Sequence, residues 1–463
     1  MKVTLRHTYT LLFFLGIFFI PFNSYEGIFF LGEYKRDGAI VFFLFSFFLF
    51  FIDVFFKNKI SLPFKSVFFQ VLLLFVIILL ISIVINIKTV SLNYMKGTSG
   101  FNRFIRQSIS LLLALILFIV SYNILKKTTI EKAFFLIRRT FLYSLVTVTI
   151  YAMLEILIVV FDISFFKGVF SLFDYFPFTE TSLDFVFRRI SSVAYEPPFL
   201  AIYLITIAGW MFSYIFTSKG LKKYLPAFTI FLLTFFSGSR TALVVIAFQF
   251  LIFIGISFSL NQRIRNIVRK FLILTTSLLI ILFLFNGKKV TESIQTKVAS
   301  LNFIENLKSN ISNKSRFGIQ YTSLLVFIEN PVFGVGFGQQ GYHARGKYPI
   351  WATSNNYEFE LFYLNNNEKS FPPGFNLYTR LLAETGIIGF LMFLLLIVTV
   401  YYQCLKMIKR SRNLKKIIPI VLLISFIGFS INWLQFDSFR IFGFWICLAL
   451  LILLIEQKPI ENE

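Results

Sequence analysis

Charge is scarce in this chain. Asp, Glu, Lys and Arg make up only 14% of the 463 residues, well below the roughly 25% typical of water-soluble domains. That shortage excludes a soluble enzyme, and with 57% hydrophobic residues it excludes a disordered chain too. Cysteine is nearly absent: Cys404 and Cys447 lie in or beside apolar runs, so there is no disulfide framework and no metal-ligand spacing. His7 and His343 are the only histidines, and no metal-ligand cluster accompanies them. Acids are fewer than bases, 22 against 45, for a net charge of +23. In a soluble protein that excess would point to nucleic acid; in a membrane protein it must first be divided by side.

Apolar and aromatic residues are what the chain has in quantity, including 66 Phe and 20 Tyr. A membrane helix needs roughly 20 mainly apolar residues, and twelve stretches qualify as spans: 9–31, 38–56, 65–87, 104–125, 139–161, 196–217, 221–236, 240–259, 268–286, 376–404, 415–434 and 437–456. The first is the least regular, the seventh is short and the tenth long. Because backbone polar groups must be satisfied internally in hydrocarbon, these are helices, and the expected fold is an all-α integral membrane protein. Lys2 and Arg6 before the apolar stretch 11–22 imitate a signal peptide, but no small-residue cleavage site follows; the segment reads as the first anchor.

With a cytoplasmic N-terminus, the inward short loops carry 21 Lys and Arg and the outward ones eight. The positive-inside rule therefore places both termini in the cytoplasm. Most of the 22 acids fall on the outer side, so much of the net charge reflects topology rather than a nucleic-acid footprint. Two outward segments are long, 162–195 and the 89-residue stretch 287–375, and loops of that size usually carry function. The expected organisation is a nine-helix membrane region 1–286, a large external loop 287–375, and a three-helix membrane region with a short cytoplasmic tail, 376–463.

An enzyme acting outside the membrane cannot draw on cytosolic ATP or sugar nucleotides, so a group-transfer substrate must arrive activated. A lipid carrying its own pyrophosphate leaving group fits that requirement. Its site needs guanidinium or ammonium clamps and a carboxylate or imidazole to take the acceptor's proton. Arg240, in Ser237-Gly-Ser-Arg-Thr241, opens a span, where a snorkelling anchor is the alternative. Arg316 precedes an apolar stretch from Tyr321 to Ile328 at helical spacing and could equally be a solvated helix start. Arg188 and Arg189 lead to Glu196, which meets Pro197-Pro198; an acid is also favourable there as a helix-start charge. Asp437 and Arg440 share the last outward turn and could simply pair. Glu155, within the fifth span, is expected to face a polar cavity, for which a buried hydroxyl partner is explanation enough. The Gly-rich stretch Asn330–Gly338 lacks the Gly-Lys-Ser/Thr ending of nucleotide loops and reads better as a turn in which backbone packs closely. His343 is the only external imidazole, in a polar stretch beside Arg345 and Lys347.

Taken together, Glu196-Pro197, Ser237-Gly-Ser-Arg240-Thr-Ala, Arg316 leading to Asn330-Pro-Val-Phe-Gly-Val-Gly-Phe-Gly338, and Asn376-Leu-Tyr-Thr-Arg380-Leu-Leu-Ala-Glu-Thr-Gly386-Ile-Ile-Gly389 resemble the Wzy-type O-antigen polymerases and the related O-antigen ligases. The resemblance implies a bacterial inner-membrane glycosyltransferase with its active site on the periplasmic face. Its donor would be an undecaprenyl-pyrophosphate-linked oligosaccharide, and neither nucleotide nor metal would be needed. The acceptor would be another lipid-linked repeat unit in a polymerase, or lipid A-core in a ligase. Membrane lipids and a chain-length regulator protein are the further partners implied. By the family pattern Arg240 and Arg316 bind the pyrophosphate and Asp437 is the acid of the last outward loop; Arg188, Arg189, Asn376, Arg380 and Arg440 are the further candidate substrate-binding residues. One departure is visible: the ligase-type histidine position is Phe375, which cannot accept a proton. That favours the polymerase over the ligase and moves the search for a base to Glu196, Asp437 and His343, with a carboxylate preferred. A polysaccharide flippase, the alternative from another class, should show repeated halves, and none are found.

Overall fold

The computed structural model describes residues 5–57, 60–259, 311–368, 371–411 and 413–456, with scattered positions between 262 and 277. The chain is a nearly all-helical, multi-pass membrane protein. Among the described residues seven helices are long and apolar enough to cross a bilayer, and four more are apolar but shorter. In chain order the helices used below are α1 (Leu5–Phe18), α2 (Gly38–Lys57), α3 (Val67–Ile85), α4 (Gly100–Leu125), α5 (Ile130–Val159), α6 (Pro197–Phe212), α7 (Leu225–Ser237), α8 (Arg240–Ser259), α9 (Ile311–Glu329), α10 (Leu377–Arg410), α11 (Ile417–Asn432) and α12 (Phe442–Glu456). The ninth expected span, 268–286, falls largely outside the described residues, as does 287–310. Each of the other eleven expected spans overlaps one of these helices, and α9 is an addition inside the long loop.

Several boundaries differ from expectation, α5 beginning at Ile130 ahead of the expected 139 and α10 running on to Arg410, and two differences change the architecture. The stretch 9–31 is not one helix: α1 runs from Leu5 to Phe18, and the chain then turns at Pro21, which has no N–H to continue the ladder. The Asn23 amide instead donates to Val193 O at 3.2 Å, which ties this segment to the loop ahead of α6. The long tenth element is two helices joined at Gly386, whose φ of 63° and ψ of −164° suit glycine and little else.

The core is apolar and continuous. α6 lies inside the bundle, against α7, α8 and α11, while α12 packs on α4, and α3 on α10. Trp210, Trp433 and Trp445 are fully buried among these helices. A Cβ at Gly386 would come within 2.2 Å of Val332 O, so the Gly-rich loop must lie directly on the break in α10. There Val335 N donates to Ala383 O and Gly336 N to Glu384 O, each at 2.9 Å, and Ile387 N donates to Pro331 O at 2.8 Å. The stretch Asn330–Gly338 is thus a packing turn whose amides are taken by its own chain. The only sheet among the described residues is the two-stranded hairpin Tyr94–Met95 with Thr98–Ser99.

Candidate active site

At one end of the bundle four segments converge: the turn after α1, the loop before α6, the turn between α7 and α8, and α9. Glu155 organises the second of these from below. Its two carboxylate oxygens accept the consecutive amides of Ser191 and Ser192 at 2.9 and 2.8 Å. Ser192 Oγ donates to Val148 O at 2.8 Å, Tyr195 N donates to Asn23 Oδ1 at 2.7 Å, and Ile190 N donates to Phe236 O at 3.2 Å. Glu155 therefore has backbone amides for partners instead of the polar cavity expected of it. Ser192 sits at a φ of 53°, a strained value for a non-glycine residue that the surrounding bonds hold in place.

This anchored loop sets Glu196 at the entrance to α6. Its φ and ψ of −149° and 159° are those of a helix cap, but its side chain makes no capping hydrogen bond. Nor does the Glu196 carboxylate form a hydrogen bond or ion pair with any described residue. Protein crowded along one side pushes its pKa above the ordinary glutamate range, and the guanidiniums of Arg36, Arg189 and Arg316 pull it back. Arg36 lies over the Tyr195 ring at 3.6 Å, a cation–π geometry. The Arg189 stem crosses Gly238, where a Cβ would meet its Cδ at 2.8 Å; Gly238 is the left-handed residue that ends α7. Arg189 is thereby brought to the turn that carries Arg240. Arg240 opens α8 and donates to Asn313 Oδ1 on α9 at 3.2 Å. Arg316, one turn further along α9, donates to Gln435 Oε1 at 2.9 Å, lies 5.1 Å from the Phe375 ring, and is within electrostatic reach of Glu358, Arg240 and Glu196.

A second cluster adjoins the first and differs in its charge balance. Arg380 Nε pairs with Glu384 at 3.0 Å, its Nη1 donates to Asp437 O at 2.7 Å, and its Nη2 donates to Gln107 at 2.9 Å. Arg103 pairs with Glu33 at 2.8 Å, and Arg440 pairs with Asp37 at 3.5 Å while also donating to Glu33 O. Asp437 accepts from Gly374 N at 2.6 Å and lies 3.9 Å from Arg380. Three guanidiniums are balanced here by four carboxylates, so this cluster is a lock between α4, α10 and the last loop, with no excess positive charge for an anion. Arg36 and Arg316, by contrast, have no carboxylate within ion-pair distance among the described residues.

Of the residues singled out from sequence, Glu196, Arg189, Arg240 and Arg316 come together. Arg380, Arg440 and Asp437 form the adjoining lock; Asp437 and Arg440, read as a pair in one turn, have separate partners. Asn376 stands between the clusters, accepting from Tyr378 N and Thr379 N as the cap of α10 and donating to Gln320 on α9 at 3.3 Å. Arg188 points away, to Asp162 at 3.3 Å. His343 is also apart, near Lys347 and Glu329, and burial together with the Lys347 charge lowers its pKa. Phe375 occupies the position where the family pattern has histidine; its φ of 56° turns it to the Arg316 guanidinium. The sequence reading missed Arg36 and Arg103, which looked like ordinary boundary charges. Arg103 could have been noticed because, like Arg240, it stands in the first turn of a span. Among the described residues no group of His, Cys, Asp and Glu is assembled for a metal ion.

Residues 225–394 match the O-antigen ligase family model, Wzy_C. That region runs from α7 into α10 and so takes in Arg240, Arg316, Asn376, Arg380 and the Gly386 break. Arg36, Glu196 and Asp437 lie outside it. No curated protein matches the chain. The match covers less than half of the chain and makes that region similar to the O-antigen ligases.

Proposed function

We propose that the protein is a polysaccharide polymerase of the bacterial inner membrane, joining undecaprenyl-pyrophosphate-linked repeat units on its outer face. The observation that carries this reading is Glu196, a carboxylate without a partner among the described residues, set among Arg36, Arg189, Arg240 and Arg316. The acceptor sugar's hydroxyl attacks the donor's anomeric carbon, and the bond from that carbon to the pyrophosphate oxygen breaks. Glu196 takes the hydroxyl proton. Arg240 and Arg316 hold the departing pyrophosphate, whose added charge makes guanidinium forks worth more in the transition state than in the bound donor. Asp437, already committed to Gly374 and Arg380, holds the 374–376 loop so that Phe375 braces Arg316, and the Arg380 and Arg440 pairs stiffen that support. The O-antigen ligase family match keeps transfer to lipid A-core as the second reading, while Phe375 in place of histidine weighs against it.

The cell-surface glycan pattern after deletion of the protein tests the proposal. A single repeat unit on the core is the expected result. Loss of all glycan from the core would assign the ligase, and an unchanged ladder would refute both.

A further inference from the structure

The helix that carries Arg316 is amphipathic in the reverse of the usual sense. The buried side of α9 is formed by Asn313, Ser315, Gly318, Ile319, Thr322, Ser323 and Val326, mostly small or polar. Three of its exposed residues are apolar, Tyr321, Leu324 and Ile328 at 48%, 38% and 68%, at the three- and four-residue spacing of one helical stripe; the exposed residue that ends the helix, Glu329, pairs with Lys347. Water on that stripe would be unfavourable. The stripe continues past the helix: Val332 and Phe333 are exposed, and Pro331 O holds Ile387 N at 2.8 Å. From Ile387 the exposed row Leu391, Leu395 and Val398 runs down the outside of spanning helix α10. Trp351, half exposed and 6.4 Å from the Tyr321 ring, marks the other edge, as aromatic residues do at a bilayer surface.

We infer that α9 lies in the membrane interface, with its Tyr321–Leu324–Ile328 face against the acyl chains of the leaflet at the Glu196 end of the bundle. The α9 part of the second long loop would then belong to the membrane surface. Arg316 stands one turn before this stripe, which sets its guanidinium at the depth where a lipid carries its phosphates. The inference depends on the continuity with α10 and not on the proposed reaction.

The test is spin-label accessibility in liposomes of phosphatidylethanolamine and phosphatidylglycerol. Cys404 and Cys447 are buried, so single cysteines can be introduced as Leu324→Cys and Ile328→Cys, with Leu391→Cys as the lipid control and Ser354→Cys as the water control. Labels at 324 and 328 that respond to dissolved oxygen as the 391 label does, and that are shielded from a water-soluble nickel chelate, are the expected result. Labels that follow the 354 control, open to nickel and poorly relaxed by oxygen, would overturn the inference whatever reaction the protein performs.

Discussion

Glu155 makes the sharpest structural prediction because it acts on the site from a distance. Its carboxylate accepts two consecutive amides, at 2.9 and 2.8 Å, from Ser191 and Ser192, which are 8% and 1% exposed. Glu155→Ala leaves two buried donors without acceptors, at about 1–3 kcal/mol each, and adds a cavity. Glu155→Gln keeps one acceptor oxygen and turns an NH₂ toward the other amide, so it should cost about half as much. The loop keeps its bonds through Asn23, Val148 and Phe236; it should loosen without detaching, shifting Arg189 and Glu196 relative to Arg240. The protein should still insert and give a helical spectrum. Its unfolding temperature in detergent should drop in the order wild type, Gln, Ala, and chain extension should fall by about tenfold or more in Ala. Wild-type activity and melting in Glu155→Ala would refute the idea that this carboxylate holds the site loop.

Other outcomes follow from the same geometry. Arg316→Ala, at normal protein level, should abolish chain extension, and Arg316→Lys should restore little, since a point charge cannot reproduce the fork; full activity of the Ala variant would remove Arg316 from the site. His343→Ala should retain substantial activity, and strong loss would return the base assignment to the imidazole. Gly386→Ala combines a disallowed backbone with a 2.2 Å contact to Val332 O and should cost several kcal/mol, read as loss of folded protein in membranes. A cysteine at Ser354 should react with an impermeant thiol reagent from outside while one at Ser411 should not; the reverse labelling would overturn the outward site.

The helices were legible because bilayer thickness translates directly into run length, and eleven of the expected spans overlap a helix for that reason. The pairing of Gly386 with Val332 was not legible, since it joins segments more than fifty residues apart through backbone. Arg240 and Arg316 could be chosen by motif, but their relation to Glu196 depends on Glu155 and Gly238, whose roles are tertiary. Arg36 and Arg103 were hidden by composition: a boundary arginine that anchors a helix and one that faces a site look alike until their partners are seen. Arg103 proves to be balanced by Glu33, whereas Arg36 is held by an aromatic ring. The apolar run Tyr321–Ile328 was visible as a helix, but the direction its apolar side faces was not.

The central claim is that Glu196, surrounded by guanidiniums, takes the acceptor's proton. Its most direct test is the pH dependence of chain extension by purified protein on lipid-linked repeat units, wild type against Glu196→Gln. A base must be ionised to act, so the wild-type rate should fall as pH drops through a value above the ordinary glutamate range, the direction in which the site shifts Glu196. Glu196→Gln should lose at least about tenfold, roughly 1.4 kcal/mol in activation free energy, and should lose that acid limb as well. A Gln variant with the wild-type rate and an unchanged acid limb would contradict the account.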